Sequence, residues 1–271
     1  MRSWDYNYHS HTYRCGHATG QDEDYVLAAI KAGFKKMGFS DHVIIKDCVQ
    51  PNIRAPYGEL EGYLHSVDIL RRRYRGVIDI YTGFEAEYSP LLIPYYKELL
   101  SSGKVDYLIQ GQHSVYEHGG MVWYSRKFSD FKTQVEHYVD DCVKGMESGV
   151  FLYLAHPDFF FIFDHIWDEN GVKAAKRIAE ASIRNDIPLE VNMAKARLGI
   201  TDCPSFHDYP SHDFWDIVSS YGCKVVFGVD AHAPREYTLT RYEVFEEFAR
   251  QHHLNVINPI VKHSPLHSDD K

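Results

Sequence analysis

The sequence predicts an α/β fold in which seven strand–helix units close into a seven-stranded (β/α)7 barrel. Three observations carry this. Short apolar runs alternate with helix-length amphipathic segments along the whole chain with no break in composition, and such alternation builds a parallel sheet. Polar residues follow the carboxyl end of strand after strand, which is where barrels of this kind keep their sites. A chain of 271 residues is also a length that such a barrel fills as one domain. An open doubly wound sheet would satisfy the alternation, but it would not bring residues from nearly every strand to one place.

The first strand is the aromatic stretch Trp4-Asp5-Tyr6-Asn7-Tyr8, ending in His9-Ser10-His11. Residues two apart on a strand share a side, so His9 and His11 can grip one ion. Tyr25, Val26, Ala29 and Ile30 recur at helical spacing between Gln21 and Gly33, where the glycine ends the segment. Lys36 to Ser40 reads as a strand closed by Asp41-His42, and a helix runs from Glu59 to Arg73 after a loop holding Pro51 and Pro56. Val77 to Phe84 is a strand ending in Glu85-Ala86-Glu87. The next helix spans Leu91 to Leu100, with Pro94 tolerable in its first turn. Val105 to Ile109 is a strand ending in Gly111-Gln112-His113. The insertion from Ser114 to Ser129 is longer than an ordinary connection and suits a binding loop or lid.

The second half repeats the pattern. A helix over Phe131–Met146 precedes the strand Val150–Ala155, which ends in His156-Pro157-Asp158. A helix over Val172–Arg184 leads to the strand Pro188–Asn192. A helix over Phe214–Tyr221 leads to the strand Lys224–Gly228, which ends in Asp230-Ala231-His232. The last helix spans Leu239–Arg250, and the polar tail Ser264–Lys271 is expected to fray.

Composition narrows the function classes. A net charge of −9 argues against binding nucleic acid or a membrane surface, although metal ions can invert the sign of an acidic pocket. Five cysteines without a C-x-x-C pair suit a reducing compartment. The opening Met1-Arg2-Ser3-Trp4-Asp5 turns polar at once and no apolar run reaches membrane-spanning length, so a soluble cytoplasmic protein is expected. Seventeen histidines are the one compositional anomaly.

Those histidines explain the strand ends. In order these offer His9, His11 and His17; Asp41 and His42; Glu85 and Glu87; His113; His156 and Asp158; Asp230 and His232. Each alone is unremarked, but core packing gives no reason for six strands to terminate in potential metal ligands. Buried together without cations, these groups would carry a large desolvation and repulsion penalty. More ligands than one ion can use imply several ions, the arrangement suited to phosphate-ester hydrolysis. No glycine-rich phosphate loop or nucleophile elbow competes with this reading. Arg71-Arg72-Arg73-Tyr74-Arg75 closes a helix, where cations complement the dipole.

The run His9-Ser10-His11-Thr12 with Cys15-Gly16-His17 and Asp22 resembles the opening motif of the PHP (polymerase and histidinol phosphatase) family, in its histidinol-phosphatase-like branch. Phe39-Ser40-Asp41-His42, Gly83 to Tyr88, Gln112-His113-Ser114-Val115, Ala155-His156-Pro157, Glu190-Val191-Asn192 and Gly228 to His232 follow in the same order. The resemblance implies a distorted seven-stranded barrel and a site of three divalent ions, Zn, Mn or Fe. It implies that His9, His11, Glu85 and Asp230 hold the first ion. Glu85 would bridge to the second, completed by His113 and His156, while His17, His42 and His232 hold the third. Glu85, Asp230 and His232 are the implied catalytic residues, around a bridging water or hydroxide that attacks phosphorus. Arg197 is the implied phosphate-binding residue, and a planar donor fork suits that task.

This chain departs from the branch after His156-Pro157. An arginine is expected there, and the sequence reads Asp158-Phe159-Phe160-Phe161-Ile162-Phe163. Arg54 and Arg126 are candidates to replace it. Asp41 is expected to orient a neighbouring histidine, and Asp158 either does likewise or protonates the leaving alkoxide. The expected substrate is a small phosphorylated metabolite, histidinol phosphate foremost, with another phosphomonoester or a phosphodiester or nucleotide as the alternative. An amidohydrolase is disfavoured because strand four ends in Gln112-His113 with no lysine. A degenerate, non-catalytic metal binder would have lost ligands, and every implied ligand is present. The residues say nothing about oligomeric state.

Overall fold

The computed structural model describes residues 4–117, 119–162, 167–193 and 209–263. Four parallel strands, β1 (Tyr6–Asn7), β2 (Lys36–Phe39), β3 (Asp79–Ala86) and β4 (Tyr107–Gln110), form a curled sheet in that order. A hairpin of β5 (Ser114–Glu117) and β6 (Gly120–Trp123) follows, and β7 (Leu189–Asn192), β8 (Lys224–Gly228) and β9 (Asn255–Val256) make a second parallel sheet. The helices are α1 (Asp22–Lys31), α2 (Leu60–Arg73), α3 (Ile93–Ser101), α4 (Tyr124–Lys127), α5 (Phe131–Glu147), α6 (Glu169–Asn185), α7 (His212–Ser220), α8 (Glu236–Leu239) and α9 (Tyr242–Gln251).

Local chemistry sets several helix starts. Gln21 and Asp24 form a reciprocal capping box at α1, and the Asp130 and Asp168 carboxylates accept from the first free N–H groups of α5 and α6. Pro94 falls in the first turn of α3, where its missing N–H has no partner to lose.

The seven strands expected from the sequence do not appear as one continuous seven-stranded ladder. What forms is an α/β fold with a curled parallel sheet of four strands and a separate sheet of three. The segment expected as strand five is extended and hydrogen-bonded on both sides, but only through isolated bridges of Leu154 to Gln110 and to Leu189. Leu152 N donates to Leu108 O at 2.7 Å and Leu154 N to Pro188 O at 3.0 Å. Around the other side, Ser10 bridges Ala231, and Asn7 Oδ1 accepts from Val229 N at 2.9 Å. β9, which the sequence reading lacks, occupies the amino end of β8, pairing Asn255 with Lys224. It takes the backbone edge at that end of β8, and β1 reaches β8 through the Tyr6 hydroxyl, which accepts from Phe227 N at 3.1 Å.

Two further differences are local. The expected last helix begins at Tyr242 as α9 rather than at Leu239, because Thr240 is extended, and the short α8 lies ahead of it. The insertion after His113 is the β5–β6 hairpin followed by α4. Among the described residues no helix is long and apolar enough to cross a membrane. The described cysteines Cys15, Cys48, Cys142 and Cys223 are free and buried.

Candidate metal centre

The strand ends converge on one carboxylate. Glu85, buried near the end of β3, has imidazole nitrogens around both oxygens. His156 Nε2 lies 2.8 Å, His113 Nε2 3.4 Å and His9 Nε2 3.6 Å from Oε1. His42 Nδ1 lies 3.2 Å and His11 Nε2 3.3 Å from Oε2. Asp230 approaches from β8, with Oδ1 3.4 Å from each of His9 Nε2 and His11 Nε2. His9 and His11 therefore share a side, as the strand period requires.

Backbone geometry makes this convergence possible. His42 bridges Glu85 across β2 and β3. His156 and Asp230 sit at positive φ, 33° and 50°, an unusual conformation for residues with a Cβ and one that turns their side chains inward at the strand ends. At Gly111 there is no room for a side chain, since a Cβ would lie 1.9 Å from Glu85 Oε1. Gly228 does the same for Glu190, with 1.8 Å to Oε1.

The electrostatics follow from burial and pairing. Burial opposes charge on Glu85, but His113, His42, His9 and His11 outweigh it and hold the carboxyl well below its usual range. Burial likewise opposes charge on His9, yet Glu190, Asp230 and Glu85 hold its pKa well above normal. For His11 the balance against burial, through Asp230 and Glu85, lands at about 9. His42, buried and beside other positive groups, is driven well below its normal value. The carboxylates thus keep their charge only alongside compensating cations.

The residues fit metal ions. His17 Nδ1 faces two backbone carbonyls, Cys15 O at 3.1 Å and Asn52 O at 2.8 Å, so that nitrogen carries the hydrogen. His232 Nδ1 faces the Asp230 carbonyl at 3.0 Å, which fixes its tautomer in the same way. The two Nε2 atoms then meet across 3.0 Å, a spacing that a shared cation would satisfy. Two imidazole nitrogens about 2.1 Å from one ion would stand roughly 3 Å apart. His9 Nε2 and His42 Nδ1 are buried without a hydrogen-bond partner, and each faces Glu85. Closely spaced donor groups form at His9, His11 and Asp230, at His9, Glu85 and His156, and at His11, His42 and Glu85. The set implied for a third ion is looser, because the His17 and His42 rings are 5.6 Å apart while His42 points its Nδ1 at Glu85.

Several expectations need correction. Arg54 is not available to a substrate: it is buried, with Nη2 on Glu87 at 3.1 and 3.2 Å, Nη1 on Val43 O and Nε on Gln50. The physical reason is Glu87, a buried carboxylate that needs a counter-charge and lies nearer than the site mouth. Asp41 accepts from Thr12 N and Thr12 Oγ1, both at 2.7 Å, and so pins the loop after β1 rather than a histidine ring. Asp158 Oδ2 accepts from Ser211 N at 2.8 Å and Trp215 Nε1 at 3.1 Å, while Oδ1 is buried without a hydrogen-bond partner among the described residues. Burial pushes its carboxyl up to about 7. Arg126 lies exposed on α4, and Arg197 lies outside the described residues.

Glu190 is the functional residue that the reading of strand ends passed over. It accepts from His9 Nδ1 at 2.9 Å, fixing the tautomer that leaves Nε2 for a metal. It also accepts from His156 N at 3.2 Å and Asn192 Nδ2 at 3.1 Å. The signal was present: Glu190 and Asn192 alternate with Leu189 and Val191, so both polar groups face one side of a buried strand. Cys15 was also unassigned; its sulfur lies within 4.8 Å of ring nitrogens of His11 and His232.

Fold and site together define a β/α protein with a buried polynuclear His/carboxylate centre at the carboxyl ends of its strands. Residues 7–194 match the PHP domain family, and the chain belongs to that family. It is 26% identical over 234 residues to a "Probable histidinol-phosphatase" of Deinococcus radiodurans, covering 84% of this chain and 86% of that protein. It is 30% identical over 90 residues to the histidinol-phosphatase of Bacillus subtilis, covering 30% of this chain and 32% of that one. The fold is similar to that of a histidinol phosphate phosphatase from Lactococcus lactis, solved with Zn, L-histidinol and phosphate. The TM-score is 0.71 at 16% identity, over 95% of this chain and 97% of that one.

Proposed function

We propose that this protein is a metal-dependent phosphomonoesterase that hydrolyses a small phosphorylated metabolite, histidinol phosphate foremost. The observation that carries the reading is the meeting of five imidazoles around Glu85, beside the facing Nε2 atoms of His17 and His232. The histidinol-phosphatase names of its relatives support the substrate. In this reading His9, His11, Glu85 and Asp230 hold one divalent ion, Glu85 with His113 and His156 a second, and His17, His42 and His232 a third, whether Zn, Mn or Fe. When bound, such ions supply Lewis acidity toward phosphoryl oxygens and a water acidic enough to ionise near neutral pH.

The chain's own residues position and poise this site. Glu190 abuts the far nitrogen of His9 at 2.9 Å and so orients that ring, and Glu87 places its charge 3.7 Å from His113 Nδ1. The Glu85 side chain is 2% exposed, whereas those of Asp230 and His232 are 13% and 19% exposed and face the mouth. We assign Glu85, Asp230 and His232 as the catalytic group on that basis, with Asp230 the more accessible of the two carboxylates. Arg197 is proposed to bind the phosphate. The bridges at Leu154 and Ala231 support reading the curled sheets as a distorted seven-stranded barrel within a single domain of residues 1–271. The free cysteines support a reducing, cytoplasmic setting.

The test is elemental analysis of the purified protein together with phosphate release from histidinol phosphate, other monoesters and their methyl diesters. At least two ions per chain and faster release from monoesters are expected. Release from no ester, with fewer than about two ions bound at saturation, refutes the reading.

A further inference from the structure

Beside the metal centre lies a second hollow, of about 200 Å3, that the ligand set does not use. Trp123 at the end of β6, Phe131, Val135 and Tyr138 on α5, and Phe159 and Phe160 after His156 line it. His113 forms part of the same wall, so the hollow and the metal centre share a residue. Phe159 packs edge-on against His113 at 5.4 Å between ring centres and lies 5.3 Å from His156. The aromatic run that stands where an arginine was expected therefore contributes a wall to this hollow.

Several polar groups of the lining already have protein partners. Gln112 Nε2 donates to Tyr124 OH at 2.9 Å, Tyr124 OH donates to Asp141 at 2.6 Å, and Tyr138 OH donates to Pro157 O at 3.1 Å. No carboxylate, lysine or arginine lies among the described lining residues. What the hollow offers a ligand is aromatic and aliphatic surface. Its size exceeds the roughly 150 Å3 of an apolar cavity known to take benzene.

We propose that this hollow seats an uncharged planar ring on the alcohol portion of the phosphomonoester, and so selects ring-bearing leaving groups over aliphatic ones. The inference rests on the phosphatase reading and adds a substrate class to it. A ring stacked among Trp123, Phe159 and Phe160 leaves water, and that burial is retained while the ester bond breaks beyond His113. The hairpin that follows His113 thereby acts as a specificity element.

The experiment compares kcat/KM for 3-phenylpropyl phosphate, 3-(imidazol-4-yl)propyl phosphate and propyl phosphate. It is run on the metal-loaded protein and on Ser125→Trp, which fills the hollow from its exposed rim. Both ring esters should exceed propyl phosphate by about tenfold or more. The phenyl ester should match or exceed the imidazolyl ester, and the ring preference should fall toward unity in Ser125→Trp. In parallel, 3-phenylpropan-1-ol should quench tryptophan fluorescence in the wild type and not in Trp123→Phe. Release from all three esters at rates within twofold overturns this inference and leaves the phosphatase reading intact. A preference that survives in Ser125→Trp, or quenching that survives in Trp123→Phe, also overturns it. Release from none overturns the phosphatase reading and this inference with it.

Discussion

Adding one methyl group at Gly111 should dismantle the metal centre without touching a ligand. The added Cβ would stand 1.9 Å from Glu85 Oε1 and 2.4 Å from Cγ and Cδ, where ordinary contact begins at 3.4 Å. The carboxylate must therefore retreat by about 1.5 Å, and it is not a flexible side-chain tip with solvent behind it. Its two oxygens are encircled by His9, His11, His42, His113 and His156 at 2.8–3.6 Å. A misplacement of about 1 Å at a reacting centre can cost about 100-fold in rate. Overpacking of this kind costs about 1–3 kcal/mol of stability. Gly111→Ala should thus lose at least about 100-fold in kcat/KM and bind fewer ions, with folding retained. Gly58→Ala, whose Cβ would meet nothing within 4 Å, serves as the control. Metal content by elemental analysis and phosphate release are read on both variants. Full metal occupancy with a rate within twofold of wild type in Gly111→Ala would show that Glu85 is not the hub described above.

Three further outcomes are expected. Glu190→Gln replaces an acceptor-only group with one that can also donate, so His9 loses its fixed tautomer; metal affinity in a chelator competition should fall about 10- to 100-fold, and an unchanged affinity would remove Glu190 from the site. Arg54→Ala leaves the buried Glu87 carboxylate without its counter-charge, which should cost about 3–5 kcal/mol and lower Tm by roughly 6–20 °C. A raised KM with unaltered Tm would instead restore Arg54 as a substrate contact. Chelation should return lone-pair and carboxylate repulsion to the centre; for a metal saturating at 100 times Kd, each site then loses about 2.7 kcal/mol of linked stability. Calorimetry with and without chelator checks this, and coincident transitions would argue against resident metal.

Much of the site was readable before any fold was known, because its signals are local. A His-x-His pair at a strand end places both rings on one side whatever lies opposite. The alternation of apolar runs with helical periods located seven of the helices to within a few residues. The fold's closure was less readable. β9 is two residues long, too short to leave a period-two pattern, yet its pairing with β8 opens the sheet there. Strand five was correctly located as an extended segment, but its bridges to both neighbours pass through Leu154 alone.

Local pattern thus settled which residue types stand at the strand ends, and with them the chemistry available to this chain. Partner choice was beyond its reach. Arg54 looked like a phosphate binder, and folding gave it Glu87, 33 residues away. Glu190 stood in a matching segment with no role assigned to it, and folding gave it His9, 181 residues away. Gly111 and Gly228 left no mark of their purpose in the sequence, since the carboxylates they accommodate arrive from other strands. Charge pairing, tautomer selection and close approach depend on distances of a few ångströms between distant segments, and those distances exist only once the chain has packed.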